Sequence, residues 1–257
     1  MQINKIDFEG IYRMQSWHQH HGIHVNNLEL DTTNGVNGYC SIEAQKMIKR
    51  ACTTVRMPAL SFLGSGNYHY LTYFLLQQIN RPFSLVLFDF HSDMQAGISD
   101  SLLSCGNWVS FTMRDNSHMK QVFICGLSEH YIPSVTLISS KQVHYFTEEK
   151  LHSHGWLSDF ERLSRYPIYV SIDKDVFDLK FARTNWDQGS MKQEMMISFF
   201  DFIFQKKELI GGDICGECSV DYSDPSYLTD QKCNSDTNSC LTSCFMEQLF
   251  SNKKRIC

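Results

Sequence analysis

The stretch LVLFDFHSDM, residues 85–94, decides the fold. Leu85 to Phe88 are apolar without a break, and Phe90 follows closely. A short apolar run of this kind reads as a strand buried on both faces. Into its end the chain places Asp89, His91 and Asp93, spaced two apart. In extended backbone such residues share a side, so the three side chains converge, or nearly so where the strand frays. YVSIDKDVFD, residues 169–178, repeats the pattern: Asp173 and Asp175 follow an apolar run. Burying five such groups without partners would cost many kcal/mol, because each ionised carboxylate loses its hydration.

Working outward, four more apolar runs read as strands: ALSFLG (59–64), QVFICGL (121–127), PIYVSID (167–173) and ELIGGDI (208–214). Helical spacing appears between them, in 69–80 before Arg81-Pro82 and in 190–207, which ends in Lys206 and Lys207. Strands separated by helices imply a parallel sheet covered on both faces, with ligands at the carboxyl edge. LSRYPI (163–168) reads as a loop feeding a strand. Residues 219–243 are polar and poor in apolar periodicity; they read as a long surface loop, with a short closing helix in CFMEQLF (244–250).

Composition narrows the classes. The chain has 257 residues, of which 42% are hydrophobic, enough for one large core. A net charge of −5 gives no electrostatic case for nucleic acid or an anionic membrane. No run approaches eighteen apolar residues, and the opening residues lack the pattern of a signal peptide. The expectation is a cytoplasmic, single-domain protein acting on a small molecule. The ten cysteines are irregularly spaced and read as reduced thiols. Cys215 and Cys218 form one Cys-x-x-Cys with no second matched pair, so packing is the better reading of them.

A divalent cation removes the cost of the converging acids. Carboxylates with one or two imidazoles suit Mn²⁺, with Fe²⁺, Co²⁺ and Zn²⁺ as alternatives. Four acids round one ion would be overcharged, whereas two ions sharing carboxylates balance better and activate water. Upstream, FLGSGNYH (62–69) breaks a strand at Gly64-Ser65-Gly66 and offers His69 as a sixth ligand.

These motifs resemble those of the arginase/agmatinase (ureohydrolase) family. DFHSD (89–93) resembles its Asp-Ala-His-x-Asp motif, SIDKDVFD (171–178) its Ser-x-Asp-x-Asp-x-x-Asp motif, and GSGNYH (64–69) a variant of Gly-Gly-Asp-His. The resemblance covers roughly residues 59–220, is specific at the metal motifs, and marks a divergent, short member. It implies a three-layer α/β/α fold round a mainly parallel sheet of about eight strands, and a binuclear Mn²⁺ centre held by His69, Asp89, His91, Asp93, Asp173 and Asp175. It further implies that hydroxide bridging the metals attacks a guanidino or amidino carbon while Asp93 steers it and takes its proton. Homo-oligomers are common in such a family and are expected here.

Departures from the family pattern are informative. GGDICGE (211–217) resembles the Gly-x-Asp-x-x-Glu strand whose Glu holds the guanidinium, but Glu217 arrives one residue late behind Gly216. A bulge could restore its aim, so Glu217 is expected in the site. SCGNWVSF (104–111) keeps Asn107 of a substrate-binding loop but has Val109 where a proton-transfer histidine would stand; His118, His130 or His144 could replace it. In RTNWDQG (183–189), Trp186 and Asp187 would overhang the metals and hold a cationic substrate by face and charge. Two other classes remain open at this point: a deacetylase-like amidohydrolase with one Zn²⁺, and a metal-binding homologue with altered catalysis.

Overall fold

All five apolar runs form strands in the computed structural model, which describes residues 2–17, 24–28, 30, 34–95, 101–132, 143–153 and 155–251. The strands are β1 (Gln2–Lys5), β2 (Val25–Asn27), β3 (Tyr39–Cys40), β4 (Ala59–Phe62), β5 (Phe83–Phe88), β6 (Leu103–Ser104), β7 (Met119–Leu127), β8 (Val143–Thr147), β9 (Ile168–Asp173) and β10 (Leu209–Cys215). The helices are α1 (Ile42–Cys52), α2 (Leu71–Leu76), α3 (Trp108–Asp115), α4 (Glu148–Leu151), α5 (Trp156–Leu163), α6 (Gln193–Ile203) and α7 (Tyr227–Ser251). Eight strands make one parallel sheet in the order β2-β1-β4-β10-β9-β5-β7-β8; β3 and β6 form a separate antiparallel pair. Among the described residues no helix is long and apolar enough to cross a membrane.

The alternation of each strand feeds two cores. Val86 and Phe88 of β5 face a core with Trp156, Phe160, Phe199 and Phe245. Leu85 and Leu87 face the other, with Ala44, Leu71 and Trp108. Helices α5, α6 and α7 therefore cover one face and α1, α2 and α3 the other, the three-layer α/β/α arrangement. Both faces being buried, β5 has no polar alternation, as its sequence shows.

Two expectations need correcting. The acids do not all stand on strands: β5 ends at Phe88, and Asp175 lies in a 3-10 turn, Lys174–Val176. Convergence comes from the turns that leave the sheet. The polar segment 219–243 is not a long loop either, since α7 begins at Tyr227 and absorbs the closing helix. Its buried stripe has helical spacing but is polar in the first half: Gln231, Asn234 and Asn238, continued by Leu241 and Phe245. Apolar periodicity could not reveal a stripe whose members are amides.

Those amides face a buried ion pair. Lys174 and Glu217 are both fully buried, with Nζ donating to Oε1 at 2.5 Å. Asn238 Nδ2 also donates to Oε1, at 2.7 Å, and Gln15 Nε2 to Oε2, at 2.8 Å. Gly216, at φ +85°, turns the chain so that Glu217 enters this network. A Cβ at Gly216 would lie 2.3 Å from Asp173 Oδ1, so the position takes no side chain.

Removing one partner strands a buried charge. Lys174→Met is expected to destabilise the metal-free protein by about 3–5 kcal/mol in urea unfolding, and Lys174→Met with Glu217→Leu to recover most of the loss. Equal stability of the single variant and the wild type would contradict the pairing.

Candidate metal centre

Strands β4, β10, β9 and β5 are neighbours at the middle of the sheet, and every predicted metal ligand leaves from the carboxyl end of β4, β9 or β5. His69 follows β4 through the 3-10 turn Gly66–Tyr68; Gly66 is needed there because a Cβ would meet Asp173 Oδ2 and the Trp186 ring at 3.0 Å. Asp89, His91 and Asp93 leave β5, and Asp173 and Asp175 leave β9. Backbone N–H groups pin one oxygen on several of these acids: His91 N to Asp89 Oδ1 (2.6 Å), Phe90 N to Asp175 Oδ1 (3.1 Å) and Asp175 N to Asp173 Oδ1 (3.2 Å). Asp93 sits at φ +49°, a strained value for a residue with a side chain. Trp108 Nε1 donates to its Oδ2 at 2.5 Å and Val109 N to its carbonyl at 3.1 Å.

The six expected ligands fall into two groups that share Asp89. His69 Nδ1 lies 3.3 Å from Asp89 Oδ2, 3.0 Å from Asp93 Oδ2 and 3.4 Å from Asp173 Oδ2. His91 Nδ1 lies 2.9 Å from Asp175 Oδ2 and 3.5 Å from Asp89 Oδ1. The two oxygens of Asp89 thus serve different imidazoles, as a carboxylate between two cations would.

A relay behind His69 fixes its tautomer. Ser171 Oγ donates to Asp213 Oδ1 at 2.7 Å, so towards His69 Nε2, 2.9 Å away, it can only accept. Nε2 therefore carries the hydrogen, and the Nδ1 lone pair faces three carboxylates. Asp213 is held in turn by Tyr169 and Thr72 hydroxyls at 2.8 and 3.0 Å. Buried Nδ1 has no hydrogen-bond partner. A lone pair aimed at three acids needs either a proton or a metal ion between them, and the donor set of imidazoles and carboxylates fits a divalent transition ion. Sequence reasoning assigned no role to Ser171 or Asp213; Ser171 stands two residues before Asp173 on the same side of β9, and Asp213 is its partner in register on β10.

Other expected site residues divide. Trp186 reaches the site: it lines a pocket of about 400 Å³ with Asp89, His91, Asp93, Asp173 and Asp175, and its Nε1 donates to Asn67 Oδ1 at 3.1 Å. Asp187 is exposed, bonded by the Tyr131 hydroxyl at 3.3 Å, and does not line the pocket. Asn107 is buried and closes a turn, accepting from Ser104 N and donating to Leu102 O, so both ends of its amide are occupied. Glu217 is not brought to the pocket; it belongs to the Lys174 network. Val109 is buried, and His118, His130 and His144 all stand outside the lining. His144 stacks on Phe123, and burial with Arg165 and Lys150 lowers its pKa. Residues missed by sequence reasoning line the mouth: Asn37, Tyr39, Asn67, Gln95, Ser104 and Cys105. Apart from the cluster itself, the described lining is uncharged. Cys257 lies outside the described residues.

Without a cation, the cluster holds protons instead. Burial and Asp89 push Asp93 up to about 7, and burial with Asp173 and Asp89 raises Asp175 well above the carboxylate range. Burial opposes charge on His91, yet Asp175 and Asp89 raise it to about 11. His69 is likewise raised, against burial, by Cys215 and its three carboxylates. Burial would raise Asp89, but the two imidazoles hold it down to about 2.

An α/β/α sheet with an acid-rich, two-part cluster of groups that could hold metal ions at its carboxyl edge is an architecture found in binuclear metallohydrolases. The Arginase family model matches residues 9–226, and the chain belongs to that family. An uncharacterized protein of Thermotoga maritima is 32% identical over 163 residues, 62% of this chain and 58% of that protein. An N(1)-aminopropylagmatine ureohydrolase of Thermococcus kodakarensis is 24% identical over 154 residues, 59% of this chain and 52% of that enzyme. The match thus spans little more than half of either relative. Among solved structures, a hypothetical agmatinase from Burkholderia thailandensis superposes with TM-score 0.67 at 19% identity, covering 90% of this chain and 70% of that one. A formimidoylglutamase from Bacillus subtilis gives 0.65 at 12%, covering 94% and 86%. At these identities the likeness establishes the fold.

Groups raised in this way must lose protons when a cation binds. Binding of Mn²⁺ at pH 7 is expected to release more than one proton per chain, and affinity to fall on acidification. Calorimetry in buffers of different ionisation enthalpy measures the release; heats independent of buffer would contradict it.

Proposed function

We propose that the chain is a metal-dependent hydrolase of C–N bonds in linear amidines, a single ureohydrolase-like catalytic domain over residues 1–257 that works in the cytoplasm on a small guanidino or amidino compound. The observation that carries this reading is the shared carboxylate: Asp89 stands between a His69–Asp93–Asp173 group and a His91–Asp175 group, all at one pocket. Two divalent ions, with Mn²⁺ favoured by the oxygen-rich donors, would lower the pKa of a shared water and supply a nucleophile near neutral pH.

The chain's own residues would do the rest. Asp93 is fixed by Trp108 and Val109 within the cluster, which suits its carboxylate, freed of its own proton by the cations, to take a proton from the nucleophile and return it to the departing nitrogen. With valine at 109, no imidazole is needed for that path. Trp186, tied to Asn67, which itself donates to Asn37 Oδ1 at 2.7 Å, would cover one side of the substrate. Asn234 of α7 holds the same overhanging segment by both its amide atoms, on Arg183 N and O at 2.8 Å. The amide of Gln95 would bind the substrate through hydrogen bonds rather than charge. One observation favours a second reading, a metal-binding homologue with altered catalysis: Glu217, the expected guanidinium partner, is committed to Lys174.

Purified protein with Mn²⁺ is expected to release urea, ammonia or formamide from at least one of arginine, agmatine, aminopropylagmatine, guanidinobutyrate, guanidinopropionate or formiminoglutamate. Asp93→Asn is expected to lower kcat on that substrate by roughly 10²–10⁴. Metal bound in full with no turnover of any of them would favour the second reading.

A further inference from the structure

We propose that Cys215 is a thiolate ligand of the His69 subsite, which would then take a thiophilic divalent ion such as Zn²⁺, Co²⁺ or Fe²⁺ in preference to Mn²⁺. The proposal deepens the metal reading above and rests on it.

Register puts the thiol there. In the parallel pairing of β10 with β9, Asp213 stands beside Ser171 and Cys215 beside Asp173. Asp213 bonds Ser171, and two residues on, the Cys215 Sγ–H donates to Asp173 Oδ2 at 3.2 Å. The same oxygen is 3.4 Å from His69 Nδ1, the buried atom without a hydrogen-bond partner. Sγ, Nδ1 and Oδ2 all lie within 4.8 Å of one another, and all three residues are buried. Tetrahedral zinc with ordinary Zn–S, Zn–N and Zn–O lengths has ligand–ligand edges of about 3.4–3.6 Å. The observed separations from Asp173 need shifts of only a few tenths of an ångström to match. Asp89 or Asp93, within 3.3 Å of Nδ1, supplies a fourth donor.

The other subsite, Asp89, His91 and Asp175, has no sulfur within this range among the described residues and keeps a hard donor set. Softness therefore separates the two subsites: thiolate selects Zn²⁺ or Co²⁺, while carboxylate suits Mn²⁺. Cys218, although two residues past Gly216, is turned away, its sulfur accepting from Gln231 Nε2 at 3.3 Å and Asn234 Nδ2 at 3.6 Å. The Cys-x-x-Cys spacing is therefore not a paired site; one thiol belongs to the metal cluster and the other to α7. On binding, the S–H proton leaves to solvent as the metal–sulfur bond forms, and no electron is transferred.

Cobalt tests this directly. Chelator-stripped full-length protein titrated with Co²⁺ is expected to show visible ligand-field bands together with sulfur-to-cobalt charge-transfer absorption in the near ultraviolet. Cys215→Ser and Cys215→Val should keep the ligand-field bands and lose the charge-transfer band. Cys105→Ser, which removes the thiol at the pocket mouth, should keep both. In competition between Zn²⁺ and Mn²⁺, Cys215→Ser should lower the preference for zinc by at least about tenfold. Ligand-field bands without charge transfer in the wild type, or charge transfer that survives Cys215→Ser, would overturn the thiolate ligand and leave the metal centre standing. Absence of any cobalt binding would overturn both.

Discussion

The structure depends on a concentration of negative charge. Asp89, Asp93, Asp173 and Asp175 are almost wholly buried at the carboxyl ends of neighbouring central strands. Ligand oxygens of Asp89 and Asp93, and of Asp89 and Asp175, lie within 4.8 Å. Two unit charges at that distance repel by about 3–4 kcal/mol at an effective dielectric constant of 20. Positive charge must sit among them, as protons or as metal ions, and the donor set could hold a divalent ion. The Ser171–Asp213 relay keeps the hydrogen of His69 on the far nitrogen. Backbone N–H groups aim the carboxylates, and Trp108 holds Asp93 in its strained turn.

A second charged pair supports the first from behind. Lys174 lies between Asp173 and Asp175 in sequence but points the other way, to Glu217, with Gln15 and Asn238 completing the shell. The turn that carries Asp173 and Asp175 is thereby tied to the first residues of the chain and to α7. The long helix is part of the site's foundation, since its amide stripe also holds the segment bearing Trp186.

Much of this was legible in the sequence, and the reasons it was or was not are physical. Apolar runs ending in Asp and His gave β5, β9 and five of the six residues that converge at the sheet edge, because burying such groups costs so much that their place at a strand end stands out; His69 came from the glycine-broken strand before it. Family resemblance supplied the eight strands, several of which are too short or too mixed to announce themselves, such as Val25–Asn27. Glu217 was misplaced because Gly216 adopts a left-handed conformation that alternation along a strand does not anticipate. Asn107 matched a motif, yet both ends of its amide are used up inside a turn. Residues 227–243 looked like a loop because their buried face is amide and hydroxyl, and burial of polar groups follows from partners distant in the chain. Lys174 carried the one signal that went unread: a lysine between two aspartates that must both be buried needs an acid elsewhere.

Anomalous diffraction from a crystal of the protein soaked in Co²⁺, which suits both donor sets, tests the central claim most directly. Two peaks are predicted, one beside His69 and one beside His91, with Asp89 between them. A single peak, or none within reach of Asp89, would contradict it.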